Sequence, residues 1–271
     1  MRILLTGSTG FIGRRVLPLL AGHEVLCLSR ANLADVPAFA PEAAIHLAWP
    51  GVCGKDRYDE AIQRDGYFLT KNILRQVGPQ CRRWVAAGSQ AEFSQRHTPY
   101  ALYKRWALLA ASNWALTYPP ATFAWARLYS VYGPGEPADS FLPYLIGELL
   151  AGRDPALTDQ DIPWDFLYVD DAARAIVALA LGAARGVFEI AAGETIHTRE
   201  AARIVRDKIN PAAVLRFGDR PRRAVEIAGI GPVNIAPMRA LGWSPQVSFS
   251  DGLDALIEEQ RFKAKGRNLE P

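Results

Sequence analysis

The sequence predicts an α/β protein: a doubly wound parallel sheet with a small C-terminal α/β lobe. Three observations carry this. Apolar, strand-like runs alternate with amphipathic helical segments through the first half of the chain. Those runs are apolar throughout rather than at every second residue, as strands covered on both faces are. The texture changes after Tyr129, where glycine and proline crowd the stretch Gly133-Pro134-Gly135-Glu136-Pro137.

Taken in order, residues 3–6 read as a strand and 11–20 as a helix whose register ends near Gly22. Strands follow at 24–29 and 44–48. The segment 58–77 places Ile62, Leu69, Ile73 and Leu74 at helical spacing. A short strand spans 84–87, and a helix spans 100–116, with Thr98 as its cap and Pro99 in its first turn. A strand at 122–128 closes this half. Beyond it come a helix at 141–150, a strand at 166–169, an apolar helix at 172–181 and a strand after Gly186. A helix at 198–209, an arginine-rich segment at 216–223 and two closing helices complete the chain. The expected sheet domain is 1–130, completed by about 159–190; 131–158 and 191–271 form the second lobe.

Composition excludes several classes. The 271 residues are 49% hydrophobic with a net charge of +3, too apolar for disorder and too weakly basic for a dedicated nucleic-acid binder. Cys27, Cys53 and Cys81 are far apart, without a CxxC or a nearby histidine pair, so neither a disulfide framework nor a metal site is expected. The N-terminal apolar run is too short for a signal peptide, and no uninterrupted apolar stretch reaches the ~18 residues of a membrane span. The expected address is the cytoplasm.

Two motifs carry chemistry. Thr6-Gly7-Ser8-Thr9-Gly10-Phe11-Ile12-Gly13 lies between the first strand and the first helix. Its glycines permit the tight turn, the approach of backbone to a pyrophosphate, and the packing of helix on strand. Amides at the helix start would face the anion. Gly7, Thr9, Gly10, Phe11, Ile12 and Gly13 are therefore the candidate dinucleotide-binding residues. The second strand ends in Leu28-Ser29-Arg30 with no acid for a ribose hydroxyl, and the Arg30 guanidinium could grip a 2′-phosphate. NADP(H) is accordingly favoured over NAD(H), with Arg14 or Arg15 as helpers.

Tyr100 and Lys104 form a Tyr-x-x-x-Lys pair on one helix face. A nearby cation favours the phenolate and lowers a pKa that is normally near ~10, which suits proton exchange with a carbonyl or alcohol. Tyr67 and Lys71 share the spacing. Ser89 selects the later pair, because it sits at the carboxyl end of a strand, where open parallel sheets bind ligands. Ser89, Tyr100 and Lys104 are the candidate catalytic residues.

With these residues in hand, the chain resembles the extended short-chain dehydrogenase/reductases, in particular their nucleotide-sugar epimerase/dehydratase/reductase branch. The resemblance continues through Ile45-His46-Leu47-Ala48, Arg127-Leu128-Tyr129-Ser130-Val131-Tyr132-Gly133-Pro134-Gly135, Asp165-Phe166-Leu167-Tyr168-Val169-Asp170-Asp171 and Leu241-Gly242-Trp243-Ser244-Pro245. It implies a Rossmann domain, a substrate lobe and a homodimer joined through helices flanking the sheet. It also implies that Lys104 holds the nicotinamide ribose, that Leu47 and Ala48 line the cofactor groove, and that the Ser130–Pro134 segment and Arg220 approach a nucleoside diphosphate.

Departures from the family pattern narrow the reaction. Sugar 4,6-dehydratases of the family carry Asp-Glu immediately after the catalytic Ser/Thr; Gln90-Ala91 stands there instead, and Glu92, one position later, is expected to point elsewhere. Ser130, Trp164 and Glu189 replace the family's usual Asn, Arg and Asn. The resulting expectation is NADPH-dependent reduction of a nucleotide-linked 4-keto-6-deoxyhexose. The alternatives are an epimerase with tightly bound NAD and a non-catalytic dinucleotide-binding regulator. Residues 216–223 hold four arginines and one aspartate, a local excess equal to that of the whole chain, and read either as a solvated loop or as a diphosphate clamp at the substrate lobe.

Overall fold

The structure is a computed structural model that describes residues 1–29, 31–94, 97–221 and 232–267. In chain order, strand β1 (Arg2–Thr6) leads to helix α1 (Gly13–Leu19), and β2 (Glu24–Leu28) to the short α2 (Val36–Phe39). Strand β3 (Ala43–His46) is followed by a 3₁₀ turn (Gly54–Tyr58) and α3 (Glu60–Val77). Then come β4 (Arg83–Ser89), α4 (Ala91–Ser94), α5 (Pro99–Thr117), β5 (Thr122–Leu128) and β6 (Ser130–Tyr132). The remainder is α6 (Phe141–Leu150), β7 (Ala156–Leu157), β8 (Pro163–Trp164), β9 (Phe166–Tyr168), α7 (Val169–Leu181), β10 (Gly186–Ile190), β11 (Ile196–His197), α8 (Thr198–Ile209), β12 (Arg216–Phe217), α9 (Ala236–Ala240) and α10 (Phe249–Arg267).

Two compact units result. The first comprises Met1–Tyr129, Val169–Ile190 and Asn234–Ser244. Its six strands are all parallel, in the order β10-β5-β4-β3-β1-β2, the doubly wound α/β architecture expected from the alternation of elements. Leu4, Ala44, Trp84 and Ala86 face one way into a core with Ile73, Val77, Ala107 and Ala111 of α3 and α5. Their neighbours Ile3, Leu5, Ile45 and Val85 are equally buried, which explains the unbroken apolar runs. Helix α7 packs on α1 and on β3, β4 and β5. The chain order reverses between β1 and β3, a switch point whose carboxyl end is the ligand-binding place in open α/β sheets.

Some boundaries differ from expectation in ways that matter for the site. Strand β3 ends at His46 rather than residue 48, leaving Leu47 and Ala48 beyond the strand. Strand β4 runs on to Ser89 instead of stopping at 87, because Ser89 keeps its register opposite Leu128. Helix α1 starts at Gly13, which puts Phe11 and Ile12 in the turn. The short α2 and α4 were not expected from apolar spacing, being barely one turn long.

The second unit comprises Ser130–Tyr168, Ala191–Val233 and Pro245–Pro271. Among its described residues the strands form three short pairs, β6 with β9 and β7 with β12 in parallel and β8 with β11 antiparallel. Helix α6 packs against α8 and α10. An aromatic cluster of Tyr132, Phe166, Tyr168 and Phe249 forms its centre. The buried Asp165 carboxylate accepts the N–H groups of Ala192 and Gly193, at 2.7 and 2.9 Å. Among the described residues the cysteines are free, no helix is long and apolar enough to cross a membrane, and no cluster of His, Cys, Asp or Glu is placed to hold a metal.

Candidate active site

The glycine turn is built by close backbone approach. Gly7 takes φ +72°, and a Cβ there would lie 2.8 Å from the amide nitrogen of Ala48; only glycine fits. A Cβ on Gly13 would run into the carbonyl oxygen of Gly7, which in turn accepts the Gly10 N–H at 3.0 Å. The turn is thus seated directly on the Leu47–Ala48 backbone at the switch point. Arg14 folds back, donating to the carbonyls of Thr9 and Gly10 at 2.9 and 3.3 Å, and Arg15 pairs with Asp170 at 3.4 Å. Arg30 lies outside the described residues.

A buried polar chain fixes this groove. Thr6 Oγ1 accepts the N–H groups of Leu47 and Ala48 at 3.1 and 3.0 Å and is 2.9 Å from His46 Nδ1. His46 Nε2 lies 2.9 Å from Thr70 Oγ1, whose own proton goes to the Gly66 carbonyl. Every member is satisfied if Thr6 donates to Nδ1 and Nε2 carries the proton. Burial, helped by the nearby Lys104 charge, lowers the His46 pKa to about 3, so the ring is neutral. This scaffold was not anticipated from the sequence, where His46 appears only as part of a motif.

Ser89, Tyr100 and Lys104 meet at the carboxyl end of β4. The Tyr100 phenol hydrogen-bonds the Ser89 side chain, and the Lys104 ammonium is 5.9 Å from the centre of the Tyr100 ring. All three are buried. The predicted cap of α5 is present, with Thr98 Oγ1 accepting the Ala101 N–H at 3.2 Å. The sequence anticipated that Lys104 would lower the tyrosine pKa. Instead burial raises it, opposed by Arg57, whose guanidinium stands 4.4 Å from the ring centre, and by the Ser89 hydrogen bond. Lys104 is itself committed to the Ala87 carbonyl at 2.8 Å, and burial brings its pKa down to about 7, opposed by Glu92. Arg57 comes from the Gly54–Tyr58 turn and carried no local signal. Tyr67 lies instead among Tyr103 and Trp106 on the α3–α5 face, with Lys71 5.6 Å from its ring centre.

In the second unit a cavity of about 210 Å³ is lined by Ser140, Phe141, Tyr144, Leu157, Phe217 and Arg220 among others. The Arg220 guanidinium lies 4.7 Å from the Tyr144 ring centre. Arg216 turns to Asp219 and to the Asp154 carbonyl, so of the arginines described in the 216–223 segment it is Arg220 that reaches this cavity; Arg222 and Arg223 lie outside the described residues. Ser130 starts β6 and is not among the described residues lining the cavity. Glu189 pairs with Arg127, and Trp164 pairs with Ile196 across the β8–β11 ribbon.

Comparison with known proteins agrees with this geometry. Residues 3–191 match the family described as the NAD dependent epimerase/dehydratase family. Escherichia coli dTDP-4-dehydro-6-deoxyglucose reductase is 32% identical, the alignment covering 96% of this chain and 98% of that one. CDP-abequose synthase from Salmonella muenchen is 22% identical over 94% of this chain and 97% of its own length. In fold, UDP-glucose 4-epimerase from Thermotoga maritima superposes with a TM-score of 0.85 at 19% identity, covering 97% of this chain and all of the other. A cradle that only glycine fits, a Ser–Tyr–Lys cluster at the strand end and a family match spanning both place this chain in the NAD-dependent epimerase/dehydratase family of extended short-chain dehydrogenase/reductases, and it is an NAD(P)-dependent enzyme of that family.

Proposed function

We propose that this enzyme uses NADPH to reduce the keto group of a nucleotide-linked 4-keto-6-deoxyhexose. The observation that carries the reading is the hydrogen bond between Tyr100 and Ser89 at the end of β4, with the Lys104 ammonium anchored beside it. The bound dinucleotide supplies the hydride. Tyr100 gives its proton to the keto oxygen, Ser89 donates a hydrogen bond to the same oxygen, and Lys104 holds positive charge next to the phenol and a ribose hydroxyl. Burial keeps Tyr100 protonated until the developing alkoxide takes the proton. Gly7, Thr9, Gly10, Phe11, Ile12 and Gly13, with Leu47 and Ala48, form the cofactor groove, and Arg30 selects the 2′-phosphate. Arg220 and Ser130 bind the nucleoside diphosphate.

Gln90-Ala91 in the places of the dehydratase Asp-Glu, and the likeness to a 4-keto-sugar reductase, support reduction over dehydration. The similarity in fold to UDP-glucose 4-epimerases favours epimerisation as a second reading. The chain is further read as a cytoplasmic homodimer joined through α3 and α5, whose outer faces expose Phe68, Trp106 and Leu109.

The test is a thermal-shift screen of NADP(H) and NAD(H), each with UDP, GDP, CDP or dTDP, followed by turnover. Stabilisation by NADPH and a nucleoside diphosphate, with keto-sugar-dependent NADPH oxidation, is expected. Tyr100→Phe should cut that rate by about 100-fold or more with dinucleotide affinity kept. Conversion of a nucleotide sugar without added reductant would favour the epimerase, and no shift with any dinucleotide would defeat both readings.

A further inference from the structure

Directly behind the Ser89–Tyr100–Lys104 cluster lies a buried carboxylate. Glu92 is 3% exposed and turns back over the end of β4. Its Oε1 accepts the Ser89 N–H and the Trp125 indole N–H, both at 2.8 Å. Its Oε2 accepts Nε–H and Nη2–H of Arg127, both at 3.0 Å, and Arg127 also reaches Glu189 at 2.7 Å. Gly88 leaves the room for this, since a Cβ there would strike the Trp125 indole and come within 2.7 Å of Glu92 Oε1.

Ser89 Oγ accepts the Ala91 N–H at 3.2 Å while Glu92 takes the Ser89 N–H, so the start of α4 is capped in a variant of the capping box whose hydroxyl bond goes to the second rather than the third residue. A cap needs neither burial nor Trp125 nor Arg127. Isolating a carboxylate from water costs stability unless charge and hydrogen bonds compensate it, and here four donors converge on one group. Lys104 is anchored on the same strand end, two residues earlier, at the Ala87 carbonyl. Anion and cation are thus fixed two residues apart along β4, both withdrawn from water.

We propose that Glu92 is a positioning residue for proton transfer, its buried carboxylate setting Ser89 and holding the positive charge on Lys104. This rests on the roles given above to Ser89, Tyr100 and Lys104. The charges facing the group are Arg127 on β5, Glu189 on β10, Lys104 and Tyr100 on α5, and Arg57 with Cys53 beside Tyr100. Glu92 raises the pKa of both Lys104 and Tyr100, and Arg57 lowers both. Removing the carboxylate therefore moves both α5 groups in one direction, toward proton release at lower pH.

The experiment follows the Lys104 side-chain NMR resonance, assigned with Lys104→Met, through a pH titration without substrate or dinucleotide. Glu92→Gln should lower its midpoint by about one pH unit; an unchanged midpoint in a folded variant overturns the proposal. Should Glu92→Gln fail to fold, the wild type decides: the Glu92 carboxyl resonance should step at the Lys104 midpoint, and no step overturns it. In the reductase assay, Glu92→Gln should lower kcat about 10-fold, leave the nucleotide-sugar KM within about twofold, and bring the alkaline limb to lower pH. Glu92→Asp, which keeps the charge, should return that limb toward the wild-type position. A lower kcat with an unmoved limb would reduce Glu92 to a cap and overturn the proposal. A wild-type protein without reductase activity overturns the proposed reaction instead, and the titration still judges Glu92.

Discussion

Lys104 places its ammonium 4.0 Å from the centre of the Trp49 ring while donating to the Ala87 carbonyl. Trp49 is held in turn, its indole N–H bonding Gln63 Oε1 at 2.7 Å while Gln63 Nε2 ties down the carbonyls of Gly51 and Asp56. Gly66 of α3 leaves space for the indole, since a Cβ there would lie 2.8 Å from it. The lysine that α5 presents to Tyr100 is therefore clamped from α3 through one aromatic ring. A desolvated cation on an indole face gains about 2 kcal/mol, which offsets part of the burial cost. Trp49→Leu should accordingly lower the Lys104 midpoint further, and Trp49→Phe should lower it less, both readable in the same NMR titration.

Lys104 also predicts how stability varies with pH. Its native pKa is about 7, whereas an unfolded lysine titrates near ~10.4. Between those values the unfolded chain holds a proton that the native chain has released, so this group makes stability rise with pH across that window. Urea unfolding from pH 7 to pH 10 should show the wild type gaining on the order of 2 kcal/mol relative to Lys104→Met. A difference that stays flat would mean that burial does not burden the ammonium.

His46 acts at the acid end. Its native pKa of about 3 lies below the ~6.5 of an unfolded histidine, so the unfolded chain binds the extra proton as pH falls. The contribution is whole above about pH 6.5 and is lost progressively toward pH 3. Asp165 and Glu136, raised by burial to about 6 and about 8, have the opposite sign, their stabilisation being lost as pH rises. They are common to the wild type and His46→Gln, so the difference between the two proteins isolates the histidine. That difference should shrink as the pH falls from 6.5 to 4, and a constant difference would remove His46 from the acid response.

What was legible in the sequence was local. Gly7, Gly10 and Gly13 follow one strand and open one helix; Thr98 and Pro99 begin α5; Tyr100 and Lys104 share a helix face. The bounds of α6 and α8 agree with the apolar spacing for the same reason. What escaped was assembled across the chain. Glu92 was expected, on a strand-like or turn path, only to point elsewhere than a dehydratase acid. Where it points is set by α4, which turns it onto the Ser89 N–H, and by Trp125 and Arg127, which arrive from β5 to hold it. The Ser-x-x-Glu spacing at 89–92 carried the cap signal, but nothing local named those partners. Arg57, rather than Lys104, opposes the raised pKa of Tyr100 because the turn after β3 delivers it to α5. Burial itself, the largest influence on both Tyr100 and Lys104, is a tertiary property that spacing does not report.

The glycine turn gives a contrast between two kinds of glycine. Gly13→Ala drives a methyl into the Gly7 carbonyl, backbone that cannot move without opening the groove. A loss of about 2 kcal/mol in stability and loss of the dinucleotide thermal shift are expected. Gly22 has φ +88°, and a methyl group there would meet nothing within 4 Å, so Gly22→Ala should cost only backbone strain of about 1 kcal/mol and leave the dinucleotide shift intact. Equal loss of that shift in both variants would show that the cradle is not what binds the dinucleotide.

The diphosphate-binding role proposed for Arg220 can be tested apart from the chemistry at Tyr100. Stacking on Tyr144, whose hydroxyl is fixed to the Ala156 carbonyl at 3.1 Å, occupies the face of the guanidinium, and its edge carries the donors that the proposed diphosphate would use. Arg220→Leu keeps an apolar stem over the ring and removes the fork. Calorimetry with UDP, GDP, CDP and dTDP should then show affinity for the preferred nucleotide falling by about 10- to 100-fold, as loss of a charge-assisted contact of about 1.5–3 kcal/mol requires. NADPH affinity should stay unchanged, and kcat at saturating substrate should fall much less than kcat/KM. Arg220→Lys should recover only part of the loss, because an ammonium cannot bond two oxygens in the guanidinium plane. If Arg220→Leu binds the nucleotide as tightly as the wild type, the cavity of the second unit is not the diphosphate site.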